Sequence, residues 1–304
     1  MSEAPFARRL LTVTGMDELG AYRVLRVTDP EGSNPAPGQF TMLAAAEHWG
    51  GGEDERPYLP RAFSIARWLA DRRSRRSPIG GEAHYLLEDV GPGTKRLCEL
   101  RAGEDVWALG PLGQGFTAPK DGRRALLVGG GVGIAPLAIL QDELEREGAI
   151  DAISDSQTDL NRAPADSTPA ATVSAVTVLL GFRDGPRAQG AALLRGARVA
   201  TDDGAVGHHG LVTDLLAQEL EQDAHTTVYS CGPSPMLEAV RSICATRGIP
   251  AQLALEAGMA CGFGACYGCV VPRRGGGYLR VCVDGPVIDA AELDQVEAHA
   301  GAPA

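Results

Sequence analysis

Four cysteines near the end of the chain, Cys261, Cys266, Cys269 and Cys282, follow one another at intervals of four, two and twelve intervening residues. Thiolates at C-x4-C-x2-C with a distant fourth partner are the plant-type arrangement that ligates a 2Fe–2S cluster. The chemistry demands compactness. Three sulfurs on one loop must converge on two irons, so the backbone has to wrap closely and turn its amides toward sulfur. Gly258, Gly262, Gly264 and Gly268 allow that wrapping. The fourth thiol is expected from a separate strand, Tyr278 to Val283, after the turn Arg273-Arg274-Gly275-Gly276-Gly277. Structural zinc usually takes two C-x2-C pairs, and this chain offers one. A zinc-stabilised interaction module without redox activity is therefore the rival reading from another class. Cys98 and Cys244 stand on apolar, helix-like faces and read as small buried hydrophobes.

A second group of motifs suits phosphates and flat rings. Gly129-Gly130-Gly131-Val132-Gly133-Ile134-Ala135-Pro136 follows the apolar run from Arg124 to Val128 and opens a helix. Helix N-terminal amides after a glycine loop suit a nucleotide pyrophosphate. The third glycine of the dinucleotide fingerprint is replaced by Ile134. Ser230-Cys231-Gly232-Pro233 also sits between a strand and a helix, at the carboxyl end of the sheet where ligands of doubly wound folds bind. Arg61-Ala62-Phe63-Ser64 places a cation, an aromatic ring and a hydroxyl on one strand, suited to a phosphate, a ring face and a ring nitrogen. Gly91-Pro92-Gly93-Thr94 opens a short helix that reads Thr94 to Leu100. His208-His209 lies in a glycine-rich turn and reads as solvated, as does the run Arg72-Arg73-Ser74-Arg75-Arg76.

The elements that must position these residues fall into three stretches. Residues 1–121 hold short apolar or alternating runs, among them Leu10 to Thr14, Tyr22 to Val27, Gln39 to Leu43, Ala62 to Ala66, Ala83 to Leu87 and Glu104 to Leu109. Such spacing predicts an antiparallel barrel or sandwich. Residues 122–249 alternate strand and helix patterns, which predicts a doubly wound parallel α/β sheet. Within them Asp151 to Ala171 is polar and aperiodic and reads as a flexible surface insertion. Residues 250–304 begin with a strand, Gln252 to Leu255, and form a small cysteine-bearing unit. The expected class is thus multidomain.

Composition narrows the partners. The chain has 304 residues, 44% of them hydrophobic, and a net charge of −11. That charge argues against nucleic acid and anionic membrane. The start shows no apolar signal region, and the run Ala125 to Leu140 is interrupted by glycines and Pro136. Seven cysteines without an export signal point to a reducing, cytoplasmic setting.

Taken in order, Arg61-Ala62-Phe63-Ser64, Gly91-Pro92-Gly93-Thr94, Gly129 to Pro136, Cys231-Gly232-Pro233 and the cysteine quartet resemble the ferredoxin-reductase superfamily. More closely they resemble the iron–sulfur flavin subunits of NAD-dependent dihydroorotate dehydrogenases. The short gap from Cys269 to Cys282 is the most specific element of the likeness. The resemblance implies FAD on the barrel, held by Arg61, Ala62, Phe63, Ser64, Gly93 and Thr94, with Leu86-Leu87-Glu88 lining it through the backbone. It implies NAD at Gly129, Gly130, Gly131 and Gly133, with Cys231 near the nicotinamide. It also implies an FMN-containing catalytic partner in a hetero-oligomer, expected to be a heterotetramer, acting in pyrimidine biosynthesis. A nicotinamide moves two electrons as hydride and a 2Fe–2S cluster takes one, so a flavin must convert between them. A reductase subunit serving a different redox partner is the alternative within the same chemistry. The family usually has Pro where Ala62 stands, the acidic stretch Glu47 to Glu55 reads as an extra loop, and Arg183 and Asp184 pull oppositely on a nucleotide 2′-phosphate.

Overall fold

The structure is a computed structural model and describes residues 8–50, 58–70, 80–158 and 176–296, with 149–158 described as helical backbone alone. The run Arg72 to Arg76 and most of the acidic stretch Glu47 to Glu55 lie outside the described residues.

The first stretch closes into a six-stranded antiparallel barrel. Its strands are β1 (Arg9–Leu19), β2 (Tyr22–Asp29), β3 (Phe40–Ala45), β4 (Arg61–Ala70), β5 (Gly81–Glu88) and β6 (Asp105–Leu112), ordered β1-β2-β5-β4-β3-β6. Alternation does the work: Leu11 and Val13 point inward while Thr12 and Thr14 face out. One short helix, α1 (Pro92–Cys98), follows β5 and starts slightly before the sequence pattern suggests.

The second stretch supplies β7 (Arg124–Gly130), α2 (Ala135–Thr158), β8 (Thr177–Phe182), α3 (Gly185–Ala188), β9 (Arg198–Thr201) and β10 (His208–His209). It continues with α4 (Val212–Gln222), β11 (Thr226–Cys231) and α5 (Ser234–Arg247). β12 (Ala251–Ala254) comes next, followed by β13 (Val270–Pro272), β14 (Tyr278–Arg280) and β15 (Val287–Asp289). The large sheet has seven strands in the order β10-β9-β8-β7-β11-β12-β15. All pairs are parallel except β12 with β15. β7 and β11 are buried almost end to end, as central strands covered on both faces must be. The chain runs outward from β7 through β8, β9 and β10, then crosses back to β11. The switch point therefore lies between β7 and β11, the place where ligands bind in such sheets.

Three local expectations change. Asp151 to Thr158 continue α2 instead of opening a loop, because the helix meets no proline before Pro164; 159–171 lie outside the described residues. His208 and His209 form a two-residue edge strand, with His208 Nε2 3.4 Å from Asp214. The reading of Cys98 and Cys244 as apolar packing holds, with Cys244 buried and Cys98 half-buried against the barrel core. Finally, β12 and β15 carry the start and end of the 250–304 stretch into the large sheet, leaving β13 and β14 as a separate two-stranded hairpin.

The barrel and sheet are clasped along one seam. Ile139 of α2 packs into the barrel core. Arg67 of β4 ion-pairs with Asp142 of α2, and Arg187 of α3 reaches Glu88 of β5 at 2.8 Å.

Candidate functional site

Arg61 opens β4 directly after Pro60, paired with Leu43 of β3. Its NH1 donates to the Leu59 carbonyl at 2.7 Å, and its guanidinium lies over the start of α1. A Cβ built on Gly93 would sit 3.2 Å from Arg61 Nε and NH2. The structure thus brings together two motifs separated by thirty residues of sequence. Thr94 closes the loop between them: its hydroxyl accepts from the Val90 amide at 3.0 Å and donates to the Gly91 carbonyl at 2.9 Å. The first turn of α1 contains no acidic residue. A guanidinium beside uncapped helix amides fits a pyrophosphate.

The neighbouring residues divide by the direction they face. Phe63 is partly buried against the barrel core, Ala62 is exposed and Ser64 is intermediate. Leu86 and Leu87 are buried side chains. The Glu88 carboxylate is taken by Arg187. Only the backbone of this strip is left for a cofactor.

At the switch point, Gly129 and Cys231 are register partners on adjacent strands. Gly131 through Ile134 form a 3-10 turn leading into α2. A Cβ on Gly133 would lie 2.5 Å from the Gly232 nitrogen and 2.6 Å from the Cys231 carbonyl. Glycine there lets the two loops touch backbone to backbone. Ile134, at the third fingerprint position, is fully buried and packs in the core beside Gly129 and Gly190. Gly130 faces Met236, and the space around Gly131 is open.

Cys231 is buried, and burial pushes its thiol well above the ordinary range, helped by the negative charge of Glu256 and opposed by the Gly232 amide. Glu256 was missed from sequence. It lies two residues past Ala254, the register partner of Cys231. It presents surface to solvent, yet protein atoms crowd its carboxyl and raise its pKa by desolvation. An acid just beyond a strand end beside a Cys–Gly loop is the signal that could have found it.

The cysteine loop leaves β12 and returns through the β13–β14 hairpin. Val270 pairs with Arg280, so Cys269 and Val281 face each other at the hairpin base, and the Val281 amide donates to the Cys269 carbonyl at 3.0 Å. Cys282 is not on a strand as expected. β14 ends at Arg280 because its carbonyl accepts from the Val283 and Asp284 amides, closing a turn that carries Cys282 inward. Cys269 Sγ and Cys282 Sγ stand 3.2 Å apart, both buried. Burial and the adjacent Cys269 thiol push Cys282 up to about 12. Cys261 pairs instead with Cys266. Burial opposes its ionisation, but amides of Phe263, Cys266 and Ala265 and the Cys266 thiol pull it down to about 6. The Gly268 amide lies 3.4 Å from Cys266 Sγ.

The sulfurs therefore form two pairs, Cys261 with Cys266 and Cys269 with Cys282. Among the described residues no three His, Cys, Asp or Glu side chains are placed to hold a single metal ion. Two thiol pairs ringed by amides fit a binuclear iron–sulfur cluster, which takes two cysteines on each iron. A cleft of about 540 Å³ separates this loop from the barrel, with Cys261 and Phe263 on one wall and Met42, Trp49, Tyr58 and Trp107 on the other.

The profile of the iron–sulfur cluster binding domain of dihydroorotate dehydrogenase B matches residues 256–294. The electron transfer subunit of dihydroorotate dehydrogenase B (NAD(+)) from Bacillus caldolyticus is 38% identical over 265 residues, covering 84% of this chain and 86% of that protein. The same subunit from Bacillus pumilus is 31% identical over 293 residues, covering 93% and 96%. Among solved structures, an NADH-dependent reduced ferredoxin-NADP oxidoreductase chain superimposes with a TM-score of 0.65 at 22% identity, covering 97% of this chain and 92% of that one. A ferredoxin NADP+ reductase from Neisseria gonorrhoeae gives 0.52 at 17%, covering 81% and 93%. These likenesses establish a ferredoxin-reductase-type fold. With two relatives above 30% identity over most of both chains, this protein belongs to the family of dihydroorotate dehydrogenase B (NAD(+)) electron transfer subunits.

Proposed function

We propose that the chain is the electron-transfer subunit of a dihydroorotate dehydrogenase, linking the FMN of a catalytic partner to NAD through a 2Fe–2S cluster and FAD. The partner oxidises dihydroorotate, and this chain passes the electrons on in pyrimidine biosynthesis. The observation that carries the reading is the pair of thiol pairs at Cys261/Cys266 and Cys269/Cys282, in a chain that also bears the Arg61–Gly93 cradle.

In this reading the residues divide the labour. Cys261, Cys266, Cys269 and Cys282 hold the cluster, and the loop amides stabilise its sulfurs. Arg61, Gly93 and Thr94 receive the FAD pyrophosphate, with Ala62, Phe63 and Ser64 along the flavin and the Leu86–Glu88 backbone beside it. Gly129, Gly130, Gly131 and Gly133 receive the NAD pyrophosphate at the switch point. Cys231 and Glu256 border the nicotinamide, one a neutral thiol and the other a desolvated acid. Bound FAD supplies the conversion between single electrons and hydride. The stretches 1–121, 122–249 and 250–304 serve as FAD, NAD and cluster units, the last anchored by the two strands it lends to the large sheet. No helix among the described residues is long and apolar enough to cross a membrane. A reducing, cytoplasmic setting suits a chain that spends four of its seven cysteines on a cluster.

Co-purification with the cognate catalytic subunit tests the reading. FAD, iron and sulfide should travel with this chain and FMN with the partner, and dihydroorotate should reduce NAD only when both are present. Full activity from the partner alone, or a colourless chain after anaerobic purification, would sink it.

A further inference from the structure

Arg280 ends β14 opposite Val270, two residues before Cys282. Its side chain turns back onto the ligand loop. A Cβ on Gly264 would lie 3.3 Å from Arg280 NH1 and 3.8 Å from its guanidinium carbon. Gly264 is the residue whose amide faces the Cys282 sulfur. On its other side the guanidinium stands 5.7 Å from the centre of the Tyr267 ring, next in sequence to Cys266. The charge thus spans the loop segment that carries the exposed ligand. Asp284 fixes this pose by accepting from the Arg280 amide at 2.7 Å and from Nε at 3.5 Å. Asp284 is the main charged partner of the guanidinium but meets it at Nε, and both side chains are about one-third exposed, so solvent screens the pair while NH1 stays turned to the loop. Arg273 and Arg274, at the far end of the hairpin, pair with Glu292 and Asp294 instead.

Four thiolates and two sulfides outweigh two ferric irons, so the oxidised site is already a net anion. Accepting one electron adds a further negative charge. Local charge, hydrogen bonds to sulfur and solvent exposure are what set the potential of such a cluster. A fixed cation at the edge of the loop favours the reduced form, an effect that solvent at this exposed edge screens in part. We propose that Arg280 is a positioning and tuning residue that raises the reduction potential of the cluster, easing uptake of single electrons from the partner's FMN. This rests on the cluster reading given above.

The test is an EPR-monitored redox titration of the full-length holoprotein and its Arg280→Gln, Arg280→Met and Arg280→Lys variants, with iron and sulfide measured for each. Both neutral variants should shift the midpoint to more negative potential with the metal content unchanged, and the Lys variant should stay near the parent. A midpoint unmoved in the neutral variants overturns the tuning role. So does a Lys shift as large as that of Gln, since charge would not be the cause. Loss of the cluster from both neutral variants makes Arg280 a scaffold residue and also overturns it. A parent protein without an iron–sulfur signal would instead overturn the cluster reading on which the proposal rests.

Discussion

Two regions of this molecule use cysteine in opposite ways. In the loop 256–286, backbone amides converge on sulfur, and Cys261 is drawn down to about 6 although burial resists it. At the switch point Cys231 is buried at the carboxyl end of the central strand β11, with a carboxylate as its charged neighbour, and its thiol is pushed up. The first environment favours the thiolate at Cys261, while Cys282, raised beside Cys269, gives up its proton readily only to a bound cation. The second keeps a thiol neutral, suited to packing beside a ring and unsuited to binding metal or attacking carbon. Crowding sharpens the contrast: Cys269 and Cys282 lie 3.2 Å apart, so ionising both without a cation beside them is costly. Residue type alone does not distinguish these roles; the surrounding amides and charges do.

The largest expected effect breaks the cluster side of this comparison. Cys269→Ser should remove the iron–sulfur absorbance and reduce dihydroorotate-dependent NAD reduction to background. Bound FAD should persist, because the Arg61–Gly93 cradle is built from β4 and α1 and shares no residue with the loop. NADH oxidation with an artificial acceptor that takes electrons from flavin should therefore survive. Iron, sulfide and flavin content per chain check this, and a variant that keeps its cluster would remove the distinction drawn here.

A smaller loss is expected at the switch point, and from glycine more than from cysteine. Gly133→Ala forces a methyl to within 2.5 Å of the Gly232 nitrogen, so the two loops must separate. Backbone shifts of this kind cost about 1–3 kcal/mol. Lower stability in denaturant and a raised Kd for NADH should appear together, with the cluster spectrum unchanged. Cys231→Ala, by contrast, should leave NADH affinity nearly intact and slow hydride transfer by less than about tenfold, worth under about 1.4 kcal/mol of barrier. Because the folded thiol titrates well above its ordinary value, the pH–rate profile of the parent should show no inflection near 8.5, the usual thiol pKa. An inflection there, abolished by Cys231→Ala, would mean that the thiol ionises during turnover.

These contrasts also explain what was legible in the sequence. Strand alternation placed every barrel strand, and the C-x4-C-x2-C spacing marked the loop where the four cysteines pair, because both depend on local periodicity or one short loop. The proximity of Arg61 to Gly93 was not legible, since barrel closure creates it. Glu256 was hidden for a similar reason: its meaning comes from the parallel register of β11 with β12. The strand ending at Arg280 was overrun because a turn set by carbonyl hydrogen bonds leaves no mark in hydrophobic pattern. The helical course of 151–158 was missed because polar composition was read as a loop, whereas a helix already under way needs only the absence of a breaker.

The smallest effect concerns thiols outside the cluster. Burial raises Cys244 to about 12 and Cys98 to about 11, and Cys231 moves in the same direction. An unfolded thiol loses its proton near 8.5. Between that value and the folded pKa the native chain binds more protons than the unfolded one, so stability falls as pH rises; below 8.5 the contribution is constant. Cys244 is buried on α5 and makes the cleanest probe. Cys244→Ala should unfold at lower temperature than the parent at pH 7.5, from the lost sulfur contacts. The gap should narrow by about 1 kcal/mol one pH unit above 8.5, because the variant no longer carries that proton linkage. Thermal unfolding at pH 7.5, 8.5 and 9.5 measures it. A gap that stays constant across this range would show that Cys244 ionises as freely in the fold as out of it, and the neutral-thiol half of the comparison would then rest on Cys231 alone.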